Sequence, residues 1–317
     1  MKQVIVFLFI VLGITVGLRV YLSLSAPGVS NSSDIQIEEV QEPTLKITFL
    51  DIGQGDSTLV EFSDGQQMLV DCAIDDRVLE ALGRVMPFYD HEIEYLVVTH
   101  PDLDHYGGCL DVMKRFDIGH ILYNGMEKPY DELWQSFHAE VQAQMADGKE
   151  YIEVDEPFVW EIASTTVNVL YPDHSIPQND HIPGLEKDVG ANDTSVVIKL
   201  SYGTQDMLLM GDAEKDLEEY LVQTYGEQLD VEVLKMGHHG SQSSSSQAFI
   251  NATSPEVAIA SCGLNNKFGH PSPRVLKRFE RAHTDTLRTD VSGDILLTVF
   301  EDHYEISTQY GDGSDKQ

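Results

Sequence analysis

Four side chains able to bind a metal ion lie within six residues of the sequence: His100, Asp102, Asp104 and His105. They follow a continuous apolar run at residues 96–99, which is typical of a buried strand, and they precede a glycine-containing turn. A strand end followed by a turn directs neighbouring side chains toward one point. Histidine nitrogens and carboxylate oxygens are ligands for Zn²⁺ and Mn²⁺ in proteins. The segment therefore predicts a metal-binding loop, against the simpler alternative of a polar surface loop that caps the next helix.

Further polar residues occur in turns or at the ends of predicted strands. They are residues 51–57, Asp71, and residues 192–195, 211–214, 237–241, 269–271 and 288–293. Simpler interpretations stand beside a functional one for several of them. Asp212 is suited to cap the helix that follows it, and Gly53, Gly55 and Asp56 are compatible with a tight turn alone. The serine-rich residues 241–246 form either a flexible loop or a hydroxyl-rich rim able to bind phosphate oxygens.

Residues 100–105 resemble the H-x-H-x-D-H metal loop of the metallo-β-lactamase superfamily, with Asp102 in place of the middle histidine. With the segments above, this variant is similar to one branch: the extracytoplasmic domain of ComEC-type competence (DNA-uptake) proteins and its stand-alone relatives. The motifs occur in that family's order and extend over nearly all of residues 45–300. The resemblance implies a metal-dependent hydrolase of the α/β class. The expected fold is a four-layer αββα metallo-β-lactamase sandwich with its metal site at one edge of the sheets.

The resemblance also implies a centre of two divalent ions, Zn²⁺ or Mn²⁺. The expected ligands are His100 and Asp102 for the first ion, Asp104 and His105 for the second, and Asp212 as a bridge between both. A histidine of residues 237–240 completes the centre; His238 is favoured as the ligand, with His239 as the alternative or as an outer partner of a ligand. Asp71 is expected to hold the metal loop from behind through hydrogen bonds, which fixes the orientation of the ligands.

The sequence departs from the superfamily pattern at Asn192 and Asp193, where many members have a further histidine. The first ion thus loses one imidazole at this position and another at Asp102. More oxygen ligands favour harder ions, so Mn²⁺ becomes competitive with Zn²⁺. The same difference argues against activity on lactam antibiotics.

Two closely spaced ions can generate hydroxide at neutral pH and stabilise the attacking and leaving oxygens. Asp104 or Asp212 is expected to orient that hydroxide, and His239 and His270 are the other candidate catalytic residues. His270 has three interpretations: a surface residue, a phosphate contact, or a proton donor to the leaving group. Residues expected to support the ligands or contact the substrate are Asp71, Gln54, Asp56, Asn192, Ser241 and Lys267.

The resemblance suggests phosphodiester hydrolysis, with DNA as the substrate. The composition opposes this, because 53 acidic and 20 basic residues give a formal net charge of −33, which repels phosphate backbones. A local basic stretch offsets it: Lys267, Arg274, Lys277, Arg278, Arg281 and Arg288. This stretch is either a track for phosphates or the solvated face of a helix. The alternatives are hydrolysis of another small ester or phosphorylated metabolite, and a non-catalytic surface binding module with a vestigial site. No protein partner is indicated.

Residues 1–26 are predicted to be a signal peptide or a membrane anchor. The apolar run at residues 4–18 is short for a membrane span but typical of the hydrophobic region of a signal peptide. Because Pro27 would directly follow a cut after Ala26, an uncleaved anchor over residues 4–26 is the competing interpretation. Both place the rest of the chain outside the cytoplasm, secreted or anchored to the membrane. A buried helix of a soluble protein is the third alternative.

The rest of the chain divides into a predicted acidic linker at residues 27–43, a hydrolase domain at residues 44–310 and a polar tail at residues 311–317. Within the domain, short β-type runs alternate with helical segments, which favours a layered α/β architecture. Three cysteines are too few for a disulfide framework, although one disulfide is possible. They are interpreted as small core residues: Cys72, Cys109 and Cys262.

Overall fold

The structure is a computed structural model that describes residues 44–179, 181–185 and 190–311, together with the backbone of two short strands, β1 (Arg19–Val20) and β2 (Ile37–Glu38). These two strands pair antiparallel. The chain divides into two compact units, Met1–Pro43 and Thr44–Gln317. Apart from these two strands, the predicted signal or anchor and the predicted linker lie outside the described residues, as does nearly all of the predicted tail. Within the described part of the chain, no helix has the length and apolarity needed to cross a membrane.

The first sheet of the larger unit has eight strands. They are β3 (Leu45–Phe49), β4 (Thr58–Glu61), β5 (Gln67–Val70), β6 (Glu92–Val98), β7 (Asp117–Tyr123), β8 (Glu150–Glu153), β16 (Ile295–Val299) and β17 (Tyr304–Thr308). Their spatial order is β17-β16-β3-β4-β5-β6-β7-β8. Pairing is antiparallel from β17 to β5 and parallel from β5 to β8.

The second sheet has seven strands. They are β9 (Phe158–Ile162), β10 (Thr165–Tyr171), β11 (Val197–Tyr202), β12 (Gln205–Leu209), β13 (Val233–Lys235), β14 (Val257–Ala260) and β15 (Asp285–Arg288). They lie side by side in the order β15-β14-β13-β12-β11-β10-β9. The first four in the chain pair antiparallel, and β12 to β15 pair parallel. Both sheets therefore combine an antiparallel half with a parallel half.

Eight α-helices lie within the described residues of the larger unit. They are α1 (Arg77–Val85), α2 (Leu103–Tyr106), α3 (Cys109–Arg115), α4 (Glu132–Ala146), α5 (Lys215–Tyr225), α6 (Gln247–Thr253), α7 (Pro273–Ala282) and α8 (Thr289–Ser292). Local sequence fixes several of their ends. The α7 helix begins after Ser272, whose hydroxyl accepts a hydrogen bond from the Arg274 amide, and it has Pro273 at its first position.

Three apolar cores separate four layers. The central core joins residues of both sheets, such as Ile47 and Val97 of the first sheet with Ile198 and Val233 of the second. A second core packs the outer face of the first sheet against α1, α3 and α4. A third packs the outer face of the second sheet against α5, α6 and α7. Strands such as β5 are buried on both faces for this reason. The predicted αββα sandwich is confirmed.

The cysteines differ from the sequence interpretation. All three are buried, as expected of core residues, but Cys72 and Cys109 form a disulfide and only Cys262 is a free thiol. The disulfide connects the loop after β5 to the first residue of α3 and closes a separation of 37 residues. The metal-binding loop predicted at residues 99–108 lies within that closed segment.

Removing the disulfide should destabilise the fold without changing its architecture. For a loop of this length, chain entropy predicts a loss of about 3–4 kcal/mol in the free energy of unfolding for Cys72→Ala/Cys109→Ala. Urea unfolding of this variant and of the native chain measures the difference. Thiol titration of the denatured chain should give one thiol before reduction and three after it. Three thiols before reduction would contradict the disulfide.

Candidate metal centre

The predicted metal loop leaves the carboxyl end of β6 and enters the short helix α2. It is pressed against the loop at residues 51–57: the Asp56 amide donates to the Asp104 carbonyl at 3.1 Å. A Cβ atom on Gly55 would lie 2.2 Å from that same carbonyl oxygen, so only glycine allows this approach. The tight contact explains why the glycines of residues 51–57 accompany the metal loop in the sequence.

The second sheet contributes its side chains from the ends of β12 and β13. Asp212 follows β12, and its amide donates to the Ser195 hydroxyl at 3.0 Å. His238 and His239 follow β13 in a tight turn where both have positive φ, 44° and 53°. This left-handed backbone is costly for two successive non-glycine residues and is characteristic of functional sites. The turn sends the two adjacent imidazoles in different directions.

Both sheets meet in one buried cluster. One ligand atom from each of four buried residues lies within 4.8 Å of the others: Asp56, His105, Asp212 and His239. The Nε2 atom of His105 is 3.3 Å from Asp212, and the Nε2 atom of His239 is 3.5 Å from Asp212 and 3.4 Å from Asp104. The arrangement surrounds a space of the size that one divalent cation occupies.

Several atoms facing this space have no hydrogen-bond partner among the described residues. They are Nε2 of His100, His105 and His239, and Oδ1 of Asp212. Buried polar atoms are nearly always hydrogen-bonded, because an unsatisfied one costs on the order of 1–3 kcal/mol. Imidazole nitrogens and carboxylate oxygens left unpaired together are the donor set that a divalent ion requires. The residues present therefore fit a metal ion.

Asp71 lies behind the metal loop. Its carboxylate accepts hydrogen bonds from the amide and the hydroxyl of Thr99, both at 2.8 Å. It also lies 2.7 Å from Nδ1 of His105. This contact fixes the tautomer of His105 with Nε2 directed at the cluster, which is how carboxylates orient metal-binding histidines.

Asp56 is held by a residue that the sequence did not single out, Lys235. The Lys235 ammonium lies 2.6 Å from Asp56, both side chains are buried, and Asp56 in turn lies 3.4 Å from Nδ1 of His239. Burial alone would raise the pKa of Asp56, but the charges of Lys235 and His239 outweigh it and hold this pKa well below its ordinary value. A lysine at the end of an otherwise apolar strand was the one signal for this contact.

The position expected for the first ion is poorer in ligands. The Nε2 atom of His100 is 3.7 Å from Asp102, and Asp102 pairs with Lys128, another residue missed by the sequence. The amide nitrogen of Asn192 lies 3.1 Å from Nδ1 of His238. The nearby His100, followed by the charge of Lys128, holds the pKa of the Asp102 carboxyl below its usual range.

The two adjacent histidines occupy different environments. His239 is buried within the cluster, whereas His238 lies at the mouth of the site, with Nδ1 2.7 Å from Glu214 and Nε2 3.8 Å from Asp212. The sequence analysis favours His238 as the ligand with His239 as the alternative. In the structure, His239 lies closer than His238 to the carboxylates of the cluster, Asp104 and Asp212. His238 has a separate carboxylate partner, Glu214.

The remaining predicted residues line the mouth or lie beside it. The half-buried ring of His270 lies 5.3 Å from that of His238 and 6.3 Å from that of His239, between ring centroids. Burial, then the charges of these two histidines, lower the pKa of His270 to about 4. Ser241 contacts Ser243, which donates to Glu214 rather than into the site.

Two further predicted residues are Gln54 and Lys267. Gln54 has a buried side-chain oxygen without a partner among the described residues, and its backbone lies against Gly263. The Lys267 ammonium lies over the ring of Phe268, 4.9 Å from its centroid. Among the described residues, neither side chain has a hydrogen bond to the buried cluster.

Comparison with known proteins agrees with this geometry. A model of the metallo-beta-lactamase superfamily matches residues 50–263. "Competence protein ComA" of Neisseria gonorrhoeae is 32% identical over 260 residues, which cover 81% of this chain and 32% of that protein. "Recombination protein 2" of Haemophilus influenzae is 28% identical over 273 residues, covering 85% of this chain and 31% of that one. The chain thus spans about a third of the length of these relatives.

Among solved structures, CmlA, a diiron beta-hydroxylase from Streptomyces venezuelae, has a similar fold. Its TM-score is 0.50 at 12% sequence identity, with 83% of this chain and 55% of that chain covered. At this identity the likeness concerns the fold alone.

Metal binding to the cluster should strengthen as pH rises. Burial would lower the pKa of His239, but Asp212 and Asp56 outweigh it and raise this pKa to about 10; His105 is raised for similar reasons by Asp212 and Asp71. Below that pH the metal-free imidazole is protonated, and an ion must displace the proton, so affinity rises up to about tenfold per pH unit for each proton released. Calorimetric Mn²⁺ or Zn²⁺ titrations at about pH 6 and 8, in buffers of different ionisation enthalpy, measure both effects. Equal metal affinities at the two pH values, without proton release, would contradict this prediction.

The two adjacent histidines provide a matched pair of variants. His239→Ala should weaken binding of the tightest ion by more than roughly 100-fold, since it removes a ligand atom from the buried cluster. His238→Ala should weaken it less, by no more than about 10- to 100-fold, the range typical of a residue acting through a neighbouring ligand. Metal content after dialysis against graded chelator compares them. The reverse order would make His238 the ligand.

Proposed function

This chain belongs to the metallo-β-lactamase superfamily, and we propose that it is a metal-dependent phosphodiesterase that cleaves DNA outside the cytoplasm. The observation that carries the proposal is the buried set of histidine and carboxylate atoms without partners, contributed by both sheets. The relatives named for competence and recombination favour a nucleic acid as the substrate.

Two ions are proposed. Asp104, His105, Asp212 and His239 would hold the second one, and His100 and Asp102, together with Asp212, would hold the first. The first position has only one imidazole, and its Asp102 is paired with Lys128. We therefore expect this position to bind its ion more weakly than the second. Its oxygen-rich ligand set suits Mn²⁺ as well as Zn²⁺. When bound, such ions supply a hydroxide nucleophile at neutral pH and stabilise charge on a phosphoryl group.

The chain's own residues position the reactants. The carboxylates of Asp104 and Asp212 face the cluster from opposite sheets and accept hydrogen bonds from the attacking oxygen. With its pKa lowered to about 4, His270 is neutral at pH 7, so it serves substrate as a hydrogen-bond donor rather than as a charged acid. Asp71 and Asp56 keep His105 and His239 in the required tautomers through the contacts described above.

An extracytoplasmic location is supported by two independent features. The Cys72–Cys109 disulfide is a bond that persists in oxidising compartments and is rare in reducing ones. The apolar residues 4–26 are typical of a signal peptide or, if they are not cleaved, of a membrane anchor. The proposed enzyme is therefore secreted or held at the outer side of the membrane.

Two of the six residues of the basic stretch suggested by the sequence have partners within the protein. Arg278 donates to the carbonyl oxygens of Ser244 and Ser245, and Arg288 pairs with Asp290 at 2.6 Å. The other four basic residues are exposed: Lys267, Arg274, Lys277 and Arg281. Because the net charge of −33 repels long polyanions, a second candidate function is hydrolysis of a small phosphate ester at the same site.

Metal-restored hydrolysis tests the proposal. The full chain, stripped of metal, is assayed on linear DNA and on bis(p-nitrophenyl) phosphate with Mn²⁺ or Zn²⁺ added back separately. We expect cleavage of both substrates, reduced by at least roughly 10³-fold in Asp104→Ala/His105→Ala, which lacks two ligands of one ion.

The other outcomes separate the alternatives. Cleavage of the small ester alone would favour the second candidate function. Stoichiometric metal binding without cleavage of either substrate would overturn the phosphodiesterase and favour another ester or a binding module.

A further inference from the structure

A braced loop connects β14 to α7 and forms one side of the mouth of the metal centre. Gly263 lies against the backbone of Gln54, where a Cβ atom would be 2.9 Å from the Gln54 amide nitrogen. The side chain of Asn266 donates to the carbonyl oxygens of Gly263 and His270, at 3.0 and 2.6 Å, and accepts from the His270 amide at 2.9 Å. These bonds fix residues 263–270 as a preformed surface.

This loop carries an exposed aromatic ring next to the metal centre. Phe268 is 54% exposed, and its ring lies 5.7 Å from that of His270 with an angle of 24° between the planes. The His270 ring in turn lies 6.3 Å from that of His239 at 29°. Three nearly parallel rings thus lead from the buried cluster to solvent, and the outermost presents an apolar surface to water.

The sequence that follows Phe268 differs in charge from the rest of the chain, and Lys267 places one cation directly over the ring. In a chain with 53 acidic residues, Glu280 is the only acid between residues 264 and 284. The exposed side chains of Lys267, Arg274, Lys277 and Arg281 lie in the same stretch. A flat apolar ring beside cations matches a nucleotide, which offers a flat base and a charged phosphate.

We propose that Phe268 and Lys267 form a subsite for one unpaired nucleotide of a single-stranded nucleic acid whose neighbouring phosphate reaches the metal centre. The base stacks on Phe268, and the Lys267 ammonium, which now lies over that ring, moves to the phosphate of the same nucleotide. The subsite rests on the proposed phosphodiesterase function and narrows its substrate to strands with an accessible base.

Binding of two matched oligonucleotides tests the subsite. The probes are a fluorescent eight-nucleotide phosphorothioate oligothymidylate and the same backbone without bases, titrated into the metal-loaded full chain and checked afterwards for cleavage. Phe268→Ala should weaken binding of the oligothymidylate roughly 10-fold and leave the abasic strand unchanged, because stacking needs a base. Phe268→Leu should weaken binding of the oligothymidylate as much as Phe268→Ala, since leucine keeps an apolar side chain without an aromatic face.

Three variants complete the test. Phe268→Trp should retain binding, and its indole fluorescence should be quenched by the thymidylate strand and not by the abasic one. Lys267→Gln should lower the salt dependence of binding by about 0.7 in the log–log slope, the loss of one phosphate contact on a single strand. Phe88→Ala is the matched control. Phe88 is likewise an exposed aromatic residue (90%), but it precedes β6, whereas the metal loop follows β6. The affinity of Phe88→Ala for the oligothymidylate should equal that of the native chain.

The failures are distinguishable. Equal affinity of Phe268→Ala and the native chain for the oligothymidylate, or an equal loss for both strands, would overturn the subsite and leave the proposed function standing. If the native chain binds neither strand yet hydrolyses bis(p-nitrophenyl) phosphate, the nucleic-acid substrate itself is wrong, and the subsite falls with it.

Discussion

The carboxylates of the buried Asp56 and Asp212 converge with that of the partly exposed Asp104, and the surrounding structure compensates for their charge. Uncompensated buried charges are among the most costly arrangements in a protein. Lys235 balances Asp56 in a buried ion pair at 2.6 Å, and His239 lies between all three acids. What remains is a set of acceptor atoms that only a cation satisfies. The close packing of glycine-containing loops and the strained histidine turn both serve to bring these groups together.

Much of the architecture was predictable from the order of the motifs along the sequence. The αββα layers followed from the resemblance, and the alternation of short β-type runs with helical segments agreed with a layered α/β architecture. Edge strands have weaker local patterns, such as β9, which has only one buried residue among its five. Their conformation is decided by packing against neighbours that the local sequence does not specify.

The candidate site was predictable in composition but not in its pairings. Residue types and spacing predict the metal loop, since four donors in six residues carry a strong signal, and one of them, His105, belongs to the buried cluster. The contact between Lys235 and Asp56 joins positions 179 apart, and no local pattern encodes it. The choice between His238 and His239 depends on backbone dihedral angles of two adjacent residues of the same type, which their spacing cannot distinguish. The pairing of Cys72 with Cys109 was also not predictable from local patterns, because the two cysteines come together only in the folded chain.

The strand order has a consequence for how the molecule is made. The β3 strand, which opens the larger unit, pairs on one side with β4 and on the other with β16, near the end of the chain. A polypeptide emerging from the ribosome therefore exposes an unpaired, largely apolar strand edge until β16 has also emerged. Such an edge is a template for wrong pairing with other strands. Asp212 and His239 also emerge long after the metal loop, so the centre cannot mature before the second sheet has been made. The nascent chain has to be kept apart from its neighbours until β16 pairs with β3 and completes the first sheet.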